Sequence, residues 1–365
     1  MRVLACHDGG TGCAWYRIIT PLTAVAEHSE DVEVIWRRCM VKPVMRAEDA
    51  PPLLSIDDAK DVDLIVVQRV NYFDGLGLWR RWGSTVGLRT VYENDDDVWN
   101  ITRDNEMAYS TYEEGTEVRE AVERYTKTAS MITCTSPVLG DLHRSVAPLA
   151  RVEILPNYVP AWTLDLPHDE RANDRMRLGW MGGGSHRKDL ESMAPQVKRF
   201  LHRNPNWDLC IGGEDYRHLF KGVRPERMMY MPWVHITDEP KLFYRVLDFD
   251  IGICPLINTK FAQSKSPVKA IEYAARGIPA IASDVEPYRR FIRHGETGFL
   301  VKQDHEWLKY LTLLASDEEL RQKMGAAAQD LVRREYTIEG NWQKWVNAYK
   351  SMFPYGWEFK DGTVR

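Results

Sequence analysis

The sequence predicts an α/β protein built from two doubly wound parallel sheets. Three observations lead there. Short apolar runs of strand length alternate with amphipathic segments of helix length along the chain, the pattern of repeated βαβ units. The alternation breaks at Pro156-Asn157-Tyr158-Val159-Pro160, and a polar stretch with the character of a linker follows from Asp165 to Arg175. A chain of 365 residues has room for two domains of ordinary size, and 44% hydrophobic residues suffice for two cores.

The first set of runs is Val3–Cys6, Val32–Trp36, Leu64–Val67, Thr90–Tyr92, Met131–Cys134 and Val152–Leu155. The second is Leu178–Met181, Leu209–Ile211, Met228–Met231, Ile251–Cys254, Ala280–Ala282 and Phe299–Val301. Amphipathic helices are expected at Leu308–Ala315 and Leu320–Arg334, and a last one from Glu339 to Met352 with an aromatic stripe of Trp342, Trp345 and Tyr349. In such sheets ligands bind at the carboxyl ends of the strands, near the point where strand order reverses. Two such sheets are expected to face each other across a cleft.

Three strand ends carry candidate chemistry. The first strand runs into His7-Asp8-Gly9-Gly10-Thr11-Gly12, and a helix starts near Ala14. Gly10 and Gly12 permit a tight turn and close approach of a ligand, and Arg17, one turn into the helix, can return to the same anion. No Gly-Lys-Ser/Thr follows, so this is not a P-loop. A solvated arginine accounts for Arg17 equally well. At the end of the fourth run, Glu93, Asp95, Asp96 and Asp97 crowd together. Like charges this close need a cation, a hydrogen-bond network or raised pKa values. The segment is either an acidic turn with capping aspartates or a set of carboxylates beside a reacting centre. After the seventh run comes Met181-Gly-Gly-Gly-Ser-His-Arg-Lys-Asp. Gly182 and Gly183 allow close approach, Ser185 is the expected N-cap, and His186, Arg187 and Lys188 are candidate phosphate contacts.

The stretch from Ser264 to Val301 organises the rest. Ser266 is the expected N-cap, with Pro267 at the first helical position. Gly277 supplies a left-handed stop, and Ile278–Ala282 suits a buried strand. The helix N-terminus favours an anion, with Lys265 and Ser266 at its mouth and Lys269 one turn in. Glu272 lies where it can accept hydrogen bonds from hydroxyls of the same ligand. A diphosphate beside a ribose meets all four, while an ordinary exposed helix start meets them about as well.

Composition excludes several classes. Acidic residues number 53 against 48 basic ones, for a net charge of −5; without a strong basic field, nucleic acid is not an expected partner. The cysteines at 6, 13, 39, 134, 210 and 254 contain no Cys-x-x-Cys pair, so neither a zinc site nor a disulfide framework is indicated. Cys6, Cys134, Cys210 and Cys254 fall in apolar runs and are expected to pack as small hydrophobes in a reducing, cytoplasmic setting. No apolar run approaches the ~18 residues of a membrane span, and the N-terminus leads directly into a strand without a signal peptide. Trp15, Trp79, Trp82, Trp99 and Trp233 stand in loop-like contexts where rings can stack on sugars, although packing is the commoner use of any one tryptophan.

The phrase Glu272-Tyr-Ala-Ala-Arg-Gly-Ile-Pro-Ala-Ile-Ala-Ser, followed by Gly295-Glu-Thr-Gly-Phe-Leu-Val301, resembles the donor half of the retaining glycosyltransferases of the GT-B fold. Asp250-Ile-Gly-Ile-Cys-Pro resembles the strand before that family's donor loop. The family's earlier glutamate, eight positions before Glu272, is replaced by Ser264, and Lys265-Ser266-Pro267 replaces its Gly-rich loop, which points to a sub-branch with Lys-Ser there. The resemblance implies two Rossmann-like domains: an acceptor-side domain over 1–158 and a nucleotide-sugar donor domain over 159–338. It also implies a segment 339–365 that crosses back to the first domain. It implies hexosyl transfer from a UDP- or GDP-linked sugar with retention, no cofactor and no catalytic metal, to a protein, glycan or lipid-linked acceptor. Glu272 would hold the ribose. Lys265, Ser266, Lys269, Gly182, Gly183, Ser185, His186, Arg187 and Lys188, with Gly10, Gly12 and Arg17, would surround the donor. Glu93 and Asp95 would act near the sugar. A nucleotide-sugar epimerase on the same fold and a non-catalytic nucleotide-sugar-binding protein are the alternatives.

Overall fold

The computed structural model describes residues 1–7, 11–38, 62–68, 88–103 and 105–354; Gly10, Trp79, Trp82 and Cys39 lie outside them. The chain forms two compact units. One gathers the described residues of Met1–Tyr158, Ser264–Ser266 and Ile338–Arg365, and the other Val159–Gln263 and Pro267–Thr337. Each is built on a six-stranded sheet whose strand pairs are parallel. All twelve apolar runs become strands.

The first unit holds β1 (Arg2–His7), β2 (Glu33–Arg38), β3 (Leu64–Gln68), β4 (Arg89–Glu93), β5 (Met131–Cys134) and β6 (Arg151–Ile154), in the order β2-β1-β3-β4-β5-β6. Order reverses at β1. The central strands are apolar on both faces because helices cover both; every residue of β3 is buried. Ser136 opens the helix Pro137–Val146, its hydroxyl accepting from the Leu139 N–H at 3.2 Å. After β1 the chain makes a short α-turn, Gly12–Ala14, capped by Thr11, whose hydroxyl accepts from the Ala14 N–H. A wide π-turn over Trp15–Ile19 follows, and then the helix Thr20–His28. The last helix, Gln343–Lys350, belongs to this unit. Lys350 reaches Asp31 at 2.6 Å, Lys344 donates to the Tyr158 hydroxyl at 2.6 Å, and the buried Trp345 packs against the Tyr158 ring.

The second unit holds β7 (Met176–Gly182), β8 (Trp207–Gly213), β9 (Met228–Met231), β10 (Ile251–Cys254), β11 (Ala280–Ser283) and β12 (Gly298–Val301), in the order β12-β11-β10-β7-β8-β9. Order reverses at β7, beside β10. Trp180, Val197, Phe200, Trp207, Ile211, Ile253 and Leu311 join one apolar core between sheet and helices. Glycines on the strands make room for rings: a Cβ on Gly179 would overlap Phe249, and one on Gly252 would overlap Tyr273. Gly277, at φ 69°, stops the helix Val268–Ala275, as its position in sequence predicts. A Cβ on Gly325, in the helix Glu318–Glu335, would overlap the Gly277 carbonyl oxygen. The polar stretch expected as a linker is tied down at two points. Arg171 bridges Asp248 and Asp250 at 2.8 Å each, and Arg276 donates to the Leu166 carbonyl at 2.5 Å and the Pro167 carbonyl at 3.1 Å.

Candidate functional site

Most of the candidate residues of the second unit collect where its strand order reverses, at the carboxyl ends of β7 and β10. Gly182 and Gly183 follow Met181; a 3₁₀ turn, Gly184–His186, leads into the helix Arg187–Arg203. On the other side stands Val268–Ala275. Lys269 donates from Nζ to the Met181 carbonyl and lies 5.1 Å from the Trp180 ring centroid. A Cβ on Gly182 would come within 2.7 Å of the Trp180 ring and 2.9 Å of that ammonium. A Cβ on Gly183 would meet nothing within 4 Å, which leaves open space above the turn. Glu272, 7% exposed, acts electrostatically, with Lys269, on Cys254 at the end of β10; burial pushes that thiol up to about 12.

Neither serine caps its helix as expected. Pro267 takes the cap position of Val268–Ala275, so Ser266 stands one residue too early to reach the first N–H groups, and no side chain caps that helix. Ser185 lies inside the 3₁₀ turn rather than in the extended conformation a cap adopts, and His186 holds the cap position without a side-chain cap bond. Of the three cationic candidates here, Arg187 pairs with Glu191 at 2.8 Å on the surface, Lys188 is exposed, and His186 is fixed by Asp189, Nδ1 to Oδ2 at 2.9 Å.

Three residues that no motif flagged hold this region together. The Tyr273 hydroxyl accepts from the Met181 N–H at 3.0 Å, locking the 268–275 helix to β7. Asp189 also accepts from the Ile257 N–H at 2.8 Å. Gly213 sits at φ 85°, and a Cβ there would overlap the Gly182 carbonyl oxygen and come within 2.8 Å of the Trp233 ring. A tyrosine one place after a motif glutamate, and a Gly-Gly pair ending a strand, were the available signals.

In the first unit the acidic cluster is held by a network. Arg17 and Glu93 are each 1% exposed and form a two-pronged ion pair, Nε to Oε1 at 2.7 Å and Nη2 to Oε2 at 3.0 Å. Arg17 Nη1 donates to the Leu155 carbonyl at 2.5 Å and to Asn157 at 2.9 Å, and the Thr133 hydroxyl donates to Glu93 Oε2. Burial pushes the Glu93 carboxyl up against the opposing pull of Arg17; the carboxylate in turn holds Arg17 above its ordinary value although burial lowers it. The π-turn carries Arg17 inward, and Glu93 faces that guanidinium. Asp97 accepts from the backbone N–H groups of Trp99 and Asn100 and from the Asn100 amide, as a capping aspartate does. Asp96 pairs with Lys265 at 3.6 Å, and the Ser136 hydroxyl donates to the Ser264 carbonyl at 2.6 Å. Asp95 and Ser266 are half-buried, and Gly12 opens the α-turn with nothing within 4 Å of where its Cβ would stand. Among the described residues, no group of three or more His, Cys, Asp or Glu is arranged to hold a metal ion.

Residues 171–331, almost the whole second unit, match the family described as Glycosyl transferases group 1. That segment is similar to group 1 glycosyltransferases. The D-inositol 3-phosphate glycosyltransferase of Corynebacterium glutamicum is 26% identical over 191 residues, 46% of this chain and 44% of that protein; the chain thus aligns with under half the length of this curated relative. Likeness of fold extends much further. Sucrose-phosphate synthase from Thermosynechococcus elongatus is similar with a TM-score of 0.66 at 17% identity, covering 97% of this chain and 99% of that one. HepE of Anabaena, solved in complex with UDP-glucose, is similar with a TM-score of 0.66 at 14% identity, covering 96% and 100%. The matched unit and the unit built on β1–β6 together have the GT-B fold, two Rossmann-like sheets in one chain. No helix among the described residues is long and apolar enough to cross a membrane.

Proposed function

We propose that this chain transfers a hexosyl group from a UDP- or GDP-linked sugar to an acceptor hydroxyl, with retention and without a catalytic metal ion. The observation that carries the proposal is the arrangement at the strand-order reversal of the second unit. There a nearly buried Glu272 stands one turn inside a helix that no side chain caps and that Lys269 and Tyr273 tie to the end of β7. In the reaction the bond from the sugar's anomeric carbon to the diphosphate breaks, and a bond to the acceptor oxygen forms. The acceptor's proton leaves with the departing diphosphate. Charge on that diphosphate is met by helix N–H groups and by His186, Lys188 and Arg187, with Lys265 and Ser266 just ahead of the helix in sequence; such stabilisation is often the largest catalytic contribution. Glu272 accepts from the ribose hydroxyls, and Lys269, held on the Met181 carbonyl, sets the floor of the site. Asp95 is assigned to the acceptor side. HepE, of the same fold and solved with UDP-glucose, supports a UDP-linked donor.

A thermal-shift panel of UDP, GDP, ADP and TDP, with and without EDTA, tests this. A ligand at a hundred times its Kd stabilises the native state by about 2.7 kcal/mol. The expected result is a clear shift with one of the four, unaffected by EDTA and abolished by Glu272→Ala. No shift with any of them overturns the donor site.

A further inference from the structure

We propose that Asp189 is a positioning residue for the donor diphosphate, acting through His186; the proposal rests on the donor-site reading above. Asp189 is 9% exposed and sits in the first turn of the helix Arg187–Arg203. Its two carboxylate oxygens go to two different loops at the strand-order reversal. Oδ2 takes His186 Nδ1 at 2.9 Å, on the glycine turn after β7, and Oδ1 takes the Ile257 N–H at 2.8 Å, on the loop after β10. One buried carboxylate therefore fixes both walls of the place where a ligand binds in such a sheet.

The chemistry follows from the pairing. A carboxylate only accepts, so the proton between the two groups belongs to Nδ1, and Nε2 is the ring atom that takes up the second proton when His186 is charged. The ring is braced in place: it meets the Trp180 ring edge-on, with centroids 6.0 Å apart and an interplanar angle of 76°. The Gly184 carbonyl beside it accepts from the Tyr216 hydroxyl at 2.5 Å. In this assignment His186 donates to phosphoryl oxygens, and Asp189 fixes the ring that does so.

Two measurements on the full-length chain test the assignment, with inorganic pyrophosphate as the probe so that the identity of the base does not matter. Nitrogen NMR of the imidazole, assigned with His186→Gln, reports the tautomer. The neutral ring is expected to be protonated at Nδ1 in the native protein and to shift toward the Nε2 form in Asp189→Asn, which keeps the side-chain size and the Ile257 contact. Pyrophosphate affinity is expected to fall about tenfold or more in Asp189→Asn and in His186→Gln, the loss of one charge-assisted hydrogen bond, and no further in the double variant. An unchanged tautomer in Asp189→Asn, or additive losses in the double variant, overturns the positioning role. If Glu272→Ala abolishes nucleotide binding while both variants bind pyrophosphate normally, this inference fails and the donor site stands. If the native protein binds neither pyrophosphate nor any nucleotide, both fail together.

Discussion

Replacing Arg17 by methionine would leave the Glu93 carboxylate inside the first unit with Thr133 as its remaining partner. The native pair is 1% exposed on both sides, and the guanidinium also satisfies Leu155 and Asn157. Removing one member of a buried ion pair costs about 3–5 kcal/mol, because the other charge is left uncompensated. In a unit of this size each kcal/mol lowers Tm by roughly 2–4 °C, so Arg17→Met is expected to melt on the order of 6–20 °C below the native chain. The double variant Arg17→Met/Glu93→Met removes both charges and should recover most of that loss. Urea and thermal unfolding followed by tryptophan fluorescence give the four corners of the cycle, and donor turnover is measured alongside. Arg17→Met within about 1 kcal/mol of native would refute the reasoning, being far below the cost of stranding a buried charge. So would a Glu93→Gln variant that unfolds like the native chain yet has lost turnover, since that returns Glu93 to the chemistry.

Three further outcomes are expected. His143 is fully buried and its pKa is lowered by burial from 6.5 to about 4. The unfolded chain then binds the proton first as pH falls, so the stability this residue contributes is present above about 6.5 and drains away toward about 4, a total of roughly 3 kcal/mol. The slope of unfolding free energy over that window should flatten in His143→Gln, and an unchanged slope would assign it to other groups. Tyr273→Phe leaves the buried Met181 N–H without its acceptor and should cost about 1–3 kcal/mol in urea unfolding; a neutral substitution would mean that the bond does not hold the 268–275 helix. Gly213→Ala, strained at φ 85° and overlapping the Gly182 carbonyl, should cost roughly 2–4 kcal/mol. Gly183→Ala, with open space around it, should stay within about 1 kcal/mol, and equal melting temperatures for the two would count against the close packing of β7 and β8.

The strands were legible because a parallel strand covered by helices is a short apolar run; every residue of β3, β5, β8 and β10 is buried. The helix stop at Gly277 was legible for a similar reason: a left-handed residue has almost one chemical solution. The caps were not. Ser185 and Ser266 have the right side chain, but capping depends on the backbone angles of one residue, which neighbours decide. Arg17 shows the same limit more sharply. Its position one turn past a glycine-rich strand end suited an anion contact equally well on either face, and only the π-turn directs it inward to a glutamate distant in sequence. Asp189 and Tyr273 carry no motif of their own; what marks them is where the loops after β7 and β10 come to lie.

Gly277 and Gly325 have a consequence for how this sequence can vary. The carbonyl of the Gly-Ile-Pro turn occupies the place where residue 325 would carry its side chain. The turn looks like a self-contained signature in the sequence, yet it is half of a two-part fitting whose other half lies in a helix far downstream. A lineage that alters residue 325 must first move the turn, and the same turn grafted onto another scaffold without a matching gap in the opposing helix would be pushed off its strand. Substitutions at the two positions should therefore be inherited together.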